Sequence, residues 1–324
     1  MNALLNVINA ELFKVIRKRR VYILAFLWWV VLPVLILFVG RILLQNLSTE
    51  FVESSSPIAP STIVETIASP FGIARISLML PSVVSPSFYM MVLALLAALF
   101  IGDERSQNMW KTTLTAQPNR MAVLFGKFFA AMLIYGVLLF GGYLLSFVYG
   151  GIGMLPLPFL SLPTNFGGDW LGLFNLYLLQ WLFGSAGMFF AFLMIWLLRN
   201  AVLGIIAILF APPILEGIYS IYATLVGFQP VNRLNIVFQT LRLRKTLEDL
   251  PRYFFTNNLY APARRPLSEV VTSLGGTPGS DDLGPLGAIL GSGITLQSSA
   301  LVIAGYALVF GLLMVWRFSR EDVS

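Results

Sequence analysis

Residues 103–127 read DERSQNMWKTTLTAQPNRMAVLFGK. The run follows one long apolar segment, 76–102, and leads into another, 125–149. An ionised side chain near the centre of a bilayer costs about 2.5 kcal/mol or more, so these charges belong outside the lipid. The run is too short to be a domain. It reads as a short polar helix between two membrane spans, a natural place for another protein to push.

The composition agrees. Only 11% of the residues are charged and 57% are hydrophobic, where a soluble domain carries about 25% charged residues. The mean hydropathy is +0.82, and apolar runs approaching 20 residues recur along the chain. These features define an all-α integral membrane protein. Alternating ten-residue segments, the mark of a barrel, are not seen. Cysteine and histidine are both absent. That excludes thiolate chemistry, the HExxH metalloprotease motif, His-ligated haem and His proton relays. The net charge of +6 suits anionic lipid surfaces. The first apolar run is too long for a signal-peptide h-region and no A-x-A-like site follows it, so no cleaved signal is expected.

Taken in order, residues 2–18 place Leu4, Leu5, Ile8, Leu12, Val15 and Ile16 on one helical face and Asn2, Asn6, Asn9, Lys14 and Arg17 on the other. This pattern predicts an amphipathic interfacial helix; a frayed terminus is the alternative. Arg17, Lys18, Arg19 and Arg20 then precede the first span, 21–44, and the positive-inside rule puts the N-terminus in the cytoplasm. Trp28 and Trp29 lie too deep for an interface belt and read as packing residues. Residues 45–75, with Glu50, Glu53 and Glu65, read as an external loop. The second span, 76–102, has Pro81 and Pro86 near its outer end, where they predict a kink or an irregular entry.

The third span, 125–149, is followed by a Gly- and Pro-rich turn at 150–168 that includes Gly150, Gly151 and Gly153. The fourth, 169–198, holds Trp170 and Trp196 at opposite ends and a small-residue patch at Gly184–Gly187 that permits close helix approach. Arg199 and Asn200 form a tight cytoplasmic turn before the fifth span, 201–226, expected to break at Ala211-Pro212-Pro213. Residues 227–297 read as a long external region, and 298–316 as the sixth span. Within that region 231–247 is a basic amphipathic run, readable as a lid over the exit or as a loop packed on its own spans. Residues 261–285 are rich in Pro, Gly and Ser and are expected to be mobile. Six spans give one multi-pass domain over 1–324 in a cell membrane, the inner membrane, with both termini cytoplasmic. If the two prolines made 201–226 a re-entrant hairpin, the C-terminus would flip.

The chain has no phosphate-binding G-x-x-x-x-G-K-[ST]: Gly126-Lys127 is followed by Phe128, and position 121 is Met. No acidic metal cluster and no Ser/His/Asp or Cys/His set exist, so an enzyme reading has little support. In the polar stretch, Glu104 and Arg105 open a helix. Trp110 and Leu114, one turn apart, can fill a groove on a partner, with Gln107 and Lys111 on a neighbouring polar face. Pro118-Asn119-Arg120 closes that helix and opens the next, with Asn119 as N-cap. The bland alternative is that these charges only hold two span ends at the headgroups.

The run ERSQNMWKTTLTAQPNRMAVLFGK resembles the segment between spans two and three of ABC transporter permeases of the type-2 exporter class. That pattern is roughly E-[KR]-x-x-G-T-x-x-x-L-L-[ST]-x-P-[VS]-x-R-x-x-[LI]-x-x-G-K. Glu104, Arg105, Leu114, Thr115, Pro118, Arg120, Gly126 and Lys127 fit it, allowing about one residue of slippage; Asn108-Met109 replaces the usual Gly-Thr. The N-terminal helix, six spans and long fifth-to-sixth region are also similar to that class. The resemblance implies a permease subunit with a cytoplasmic coupling helix at 104–116, paired with a second permease subunit as a homodimer or heterodimer. It implies a separate ATP-binding subunit that carries the ATP and magnesium; no cofactor is expected on this chain and no nucleic-acid partner. ATP binding there would shift the spans between inward- and outward-open states, which requires contacts that differ between the two.

Glu216 is the one acidic residue well inside a span, about 22 Å from Ala201 by helix rise. It is a translocation-path candidate; the alternative is that Pro212-Pro213 ends the span early and leaves it in water. The competing functional class is a self-contained secondary carrier or channel, which few intramembrane charges and no histidine count against. A scaffold or assembly factor without transport is a third class. The substrate is not legible.

Overall fold

A computed structural model of the chain describes residues 2–35, 69–83, 85–106, 119–154, 167–226, 250–273 and 295–320. Among these residues the fold is all-helical, with no strand. In chain order the helices are α1 (Asn2–Ile16), α2 (Arg19–Phe26), α3 (Pro70–Val83), α4 (Phe88–Ala97), α5 (Asp103–Ser106), α6 (Arg120–Met154), α7 (Trp170–Leu198), α8 (Ala201–Val226), α9 (Phe255–Leu259), α10 (Ala261–Ser273) and α11 (Leu296–Arg320). Leu27–Val31 and Ala98–Gly102 continue α2 and α4 as π-helical turns, and Leu250–Tyr253 is a 3₁₀ turn. Four helical stretches are long and apolar enough to cross a membrane: Arg120–Tyr149, Trp170–Leu198, Ala201–Tyr219 and Leu296–Arg320.

The chain divides into two compact units. One comprises Met1–Val84, Phe125–Leu182 and Pro262–Thr277; the other comprises Ser85–Leu124, Phe183–Ala261 and Pro278–Ser324.

In the first unit α1 packs against α6. A Cβ on Gly126 would lie 2.4 Å from Val7 Cγ1, so the missing side chain sets how closely the two helices approach. One residue on, Lys127 Nζ donates to Glu11 Oε1 at 2.5 Å. Their side chains are 1% and 8% exposed. The packed face of α1 therefore carries Glu11 and Val15, while Leu5, Phe13 and Ile16 are exposed. Part of the apolar face read from sequence is thus turned to the protein and part away from it.

Two indoles also dock on α6. Trp29 Nε1 donates to the Leu138 carbonyl at 2.9 Å and Trp181 Nε1 to the Met132 carbonyl at 2.8 Å. A helical carbonyl at i is flanked by the side chains at i+3 and i+4. Gly141 follows Leu138 by three and Gly136 follows Met132 by four, and a Cβ on either would lie under 3.0 Å from the indole. Trp28 is buried beside them, as the packing reading expects. The α3 helix starts at a Ser69 cap, whose hydroxyl oxygen accepts from Gly72 N at 3.0 Å. It pairs with α10 through Arg75–Glu269 at 2.8 Å and through Arg264, which donates to the Ser82 carbonyl at 3.2 Å.

In the second unit the Gly184–Gly187 patch does what its composition predicts: a Cβ on Gly187 would lie 2.6 Å from Leu93 Cδ1. Arg199, at φ 56, turns the chain in the left-handed region, and Asn200 Oδ1 caps α8 by accepting from Val202 N and Leu203 N at 2.9 and 3.2 Å. Trp196 and Phe318, 5.0 Å apart, join the end of α7 to that of α11.

Several boundaries differ from the sequence reading. Residues 70–75, expected in a loop, are helical in α3. The irregularity expected at Pro81 and Pro86 falls at Pro86 alone: Pro81 lies inside α3, whereas Pro86 lacks an N–H and Ser87 Oγ opens α4 by accepting from Tyr89 N at 3.1 Å. Gly150, Gly151 and Gly153, expected in a turn, extend α6. Pro212 and Pro213 do not break α8, which runs unbroken for 26 residues. Residues 261–273, expected to be mobile, form α10. The later part of the first expected span (36–44), the run 231–247 and residues 274–294 lie outside the described residues.

The buried ion pair yields a direct test. Lys127→Met strands the Glu11 carboxylate and is expected to lower stability by about 3–5 kcal/mol, whereas Glu11→Leu with Lys127→Met costs much less. Thermal unfolding in detergent measures both; equal losses for the single and double variants would show that the charges are not coupled.

Candidate functional site

The second unit contains a polar seam around Glu216. Along α8, Glu216 lies 15 residues from Ala201 and 10 from Val226, about 22 and 15 Å at 1.5 Å per residue. Its carboxylate reaches the start of α9. Oε1 accepts from Thr256 N at 2.9 Å, and Oε2 accepts from the Thr256 hydroxyl. The N-cap residue of α9 is Phe254, which has no side chain able to cap. Thr256 is the second residue of that helix, a position whose N–H ordinarily bonds to a Ser, Thr or Asp cap. Glu216 supplies that oxygen from another helix.

Three carbonyls at the start of this segment are also met by side chains. Tyr306 OH donates to the Tyr253 carbonyl at 2.9 Å. Asn258 Nδ2 donates to the carbonyls of Arg252 and Phe254 at 2.8 and 2.7 Å. Aromatic rings enclose the same stretch. Phe255 contacts Phe190, Tyr306 and Phe310 at 5.6, 5.1 and 5.6 Å. Phe254 meets Tyr219 at 5.3 Å, and Tyr260 stacks on Tyr89 at 6.1 Å.

Helix rise locates the segment along its neighbours. Leu259, fully buried, would touch a Cβ at Gly187, which stands 11 residues before Leu198. Leu93, against the same glycine, stands 10 residues before Asp103. Both distances come to about 15–16 Å, half the thickness of a hydrocarbon core of about 30 Å. Residues 254–260 therefore pack half-way along α4, α7, α8 and α11. The sequence reading put all of 227–297 in an external region; residues 254–260 of it pack against α4, α7, α8 and α11. It likewise left Glu216 either on an open path or in water beyond an early helix end. The unbroken α8 removes the early helix end, and the bonds to Thr256 give the carboxylate a partner on α9.

The polar stretch of 103–127 is described only at its two ends. Glu104, in α5, is 1% exposed, so it faces the unit's interior and offers no docking surface in this arrangement. Arg105 lies in the same helical turn. Gln107, Trp110, Lys111, Leu114 and Pro118 lie outside the described residues. Asn119 caps α6 as expected, its Oδ1 accepting from Ala122 N at 3.1 Å. Arg120 Nη1 donates to the Ser319 carbonyl near the end of α11 at 3.4 Å. Thus Glu104 and Arg120 are tied within the second unit.

Sequence reasoning named Lys127 only as part of the permease-like pattern and missed Glu11, Thr256, Asn258 and Tyr306 as structural or functional groups. Lys127 carried a usable signal, being the sole charge within 125–149; an ionisable residue in an apolar run calls for a partner. Thr256, Asn258 and Tyr306 carried none, because their role arises only when distant segments meet. No group of three or more carboxylates able to hold a metal occurs among the described residues. Comparison with protein-family models, with curated proteins and with solved structures finds no match.

The seam predicts a graded stability series. Tyr306→Phe removes one donor and is expected to cost about 1 kcal/mol; Asn258→Ala strands two carbonyls and is expected to cost about 1–3 kcal/mol or more. Thermal midpoints in detergent rank them, and an Asn258→Ala protein as stable as wild type would contradict the backbone-satisfaction role.

Proposed function

We propose that this chain is the membrane-spanning permease subunit of an ATP-driven ABC transporter of the type-2 exporter class. On this reading it has six spans, an interfacial N-terminal helix and a cytoplasmic coupling helix between spans two and three. It pairs with a second permease subunit in the cell membrane, keeps both termini in the cytoplasm and exports its substrate. ATP and magnesium act on a separate ATP-binding subunit. The observation that carries the proposal is the match of Glu104, Arg105, Leu114, Thr115, Pro118, Arg120, Gly126 and Lys127 to that family's pattern. The long apolar helix that follows the stretch and the lack of a P-loop in the sequence support it.

On this reading Glu104, which is buried, and Arg120, which donates to the Ser319 carbonyl, anchor the coupling helix. Docking then falls to Arg105, Gln107, Trp110, Lys111 and Leu114, with Trp110 as the aromatic that fills the partner's groove. A self-contained carrier or channel is the second reading, favoured by the placement of a carboxylate, Glu216, within the apolar helix α8.

Purification from native membranes is expected to bring down a P-loop ATPase. Trp110→Ala with Arg105→Glu is expected to weaken that association by about 2 kcal/mol or more, roughly thirty-fold in Kd. Full binding and full ATPase stimulation in that variant would defeat the coupling assignment. Transport by the isolated protein in liposomes without nucleotide would establish the carrier reading instead.

A further inference from the structure

We propose that residues 254–260 form a gate seated half-way along the helices of the second unit, with Glu216 and Thr256 as its latch. This rests on the chain being a transporter of either kind, and its test does not depend on which.

Three observations lead there. First, α9 has only five residues, too few to hold a helix by its own hydrogen bonds. What keeps it formed is contact with α8 and α11. Second, the side chain that completes its first turn belongs to α8: the two oxygens of Glu216 accept from the Thr256 amide and the Thr256 hydroxyl. That double tie joins the segment to a helix from elsewhere in the chain. Third, the seated arrangement is incompletely satisfied. Asn258 is fully buried, yet its Oδ1 has no hydrogen-bond partner among the described residues. A buried polar atom left unbonded opposes the state that buries it. The segment is thus held in place by few bonds against a standing opposing term. That balance suits an element with two arrangements more than a permanent part of a core.

The geometry gives the seat a function. Phe254, Phe255, Leu259 and Tyr260 fill the space between α4, α7, α8 and α11 with aromatic and aliphatic bulk. While these side chains are seated, nothing passes at that level; withdrawal of the segment leaves a gap lined by Glu216, Tyr306 and Tyr89. A carboxylate and two phenols facing such a gap would suit a solute with a polar or cationic group.

The chain has no cysteine, so each introduced thiol is unique. Leu259→Cys replaces a fully buried residue of the seated segment. In otherwise unaltered protein, reconstituted in liposomes, a charged membrane-impermeant thiol reagent is expected to label it slowly. Adding Glu216→Ala is expected to raise the labelling rate at least ten-fold. Glu216→Gln, which keeps one acceptor, and Thr256→Val, which keeps the amide donor, are each expected to give smaller rises. Ala191→Cys, fully buried elsewhere in the same unit, serves as the reference and is expected to stay protected throughout. Leu259→Cys protected equally in all these variants overturns the latch. Equal gains at Leu259→Cys and Ala191→Cys mean general loosening and overturn the gate as well.

Discussion

In an apolar layer a backbone amide that loses its helical partner has no water to turn to. The described helices are arranged around that constraint. Most chain breaks have a side-chain oxygen that caps the next helix: Ser69 at α3, Ser87 at α4, Asn119 at α6, Asp169 at α7 and Asn200 at α8. In each case the cap lies within three residues of the amide it serves. At α9 the local sequence offers only Phe254, and the same need is met by Glu216, 40 residues away in sequence. A carboxylate inside an apolar helix is costly to desolvate. Its presence is explained once the helix start it completes is known.

The same reasoning covers Glu11 and Lys127. Neither charge is tolerable alone in a buried helix contact; together, 2.5 Å apart, they are. Such a pair adds less to stability than an apolar pair of equal volume, but it fixes register. A one-turn slip of α1 along α6 would bury both charges unpaired, and Val7 against Gly126 would lose its fit. The helix that begins the chain is therefore held at one position on α6, whichever part of its remaining apolar face meets lipid.

What was legible in the sequence was what depends on neighbours in the chain. Long apolar runs marked the helices that became α6, α7, α8 and α11. Asn119 and Asn200 marked helix starts because a cap acts within one turn. Trp28 and the Gly184–Gly187 patch were readable as packing residues because size alone determines their use. What failed depended on contacts across the chain. Pro212-Pro213 is a break signal in isolation, yet α8 continues through both. Ala261–Ser273 has the composition of a loop, and α10 forms because Arg75 and Ser82 on α3 meet Glu269 and Arg264. The inserted segment at 254–260 was invisible for the same reason. Its aromatic residues have no periodicity, and each acquires a role only against a helix from elsewhere.

One consequence links the two ends of the second unit. The continuous helical stretch from Phe88 through Ser106 carries Tyr89 near one end and Glu104 near the other, 15 residues and about 22 Å apart. Tyr89 stacks on Tyr260 of the inserted segment; Glu104 is buried at the base of the polar stretch. A helix is stiff along its axis, so a load applied beside Glu104 is felt at Tyr89 with little loss. If a partner pushes on 104–116, as proposed, the first structure to register the push at mid-depth is the segment that Glu216 holds. Proximity along a rod is not itself coupling; coupling needs an element with two arrangements that both ends bias. The seated segment, held by one carboxylate against its own unsatisfied Asn258 oxygen, has the energetic character of such an element, and that makes the rod more than a scaffold.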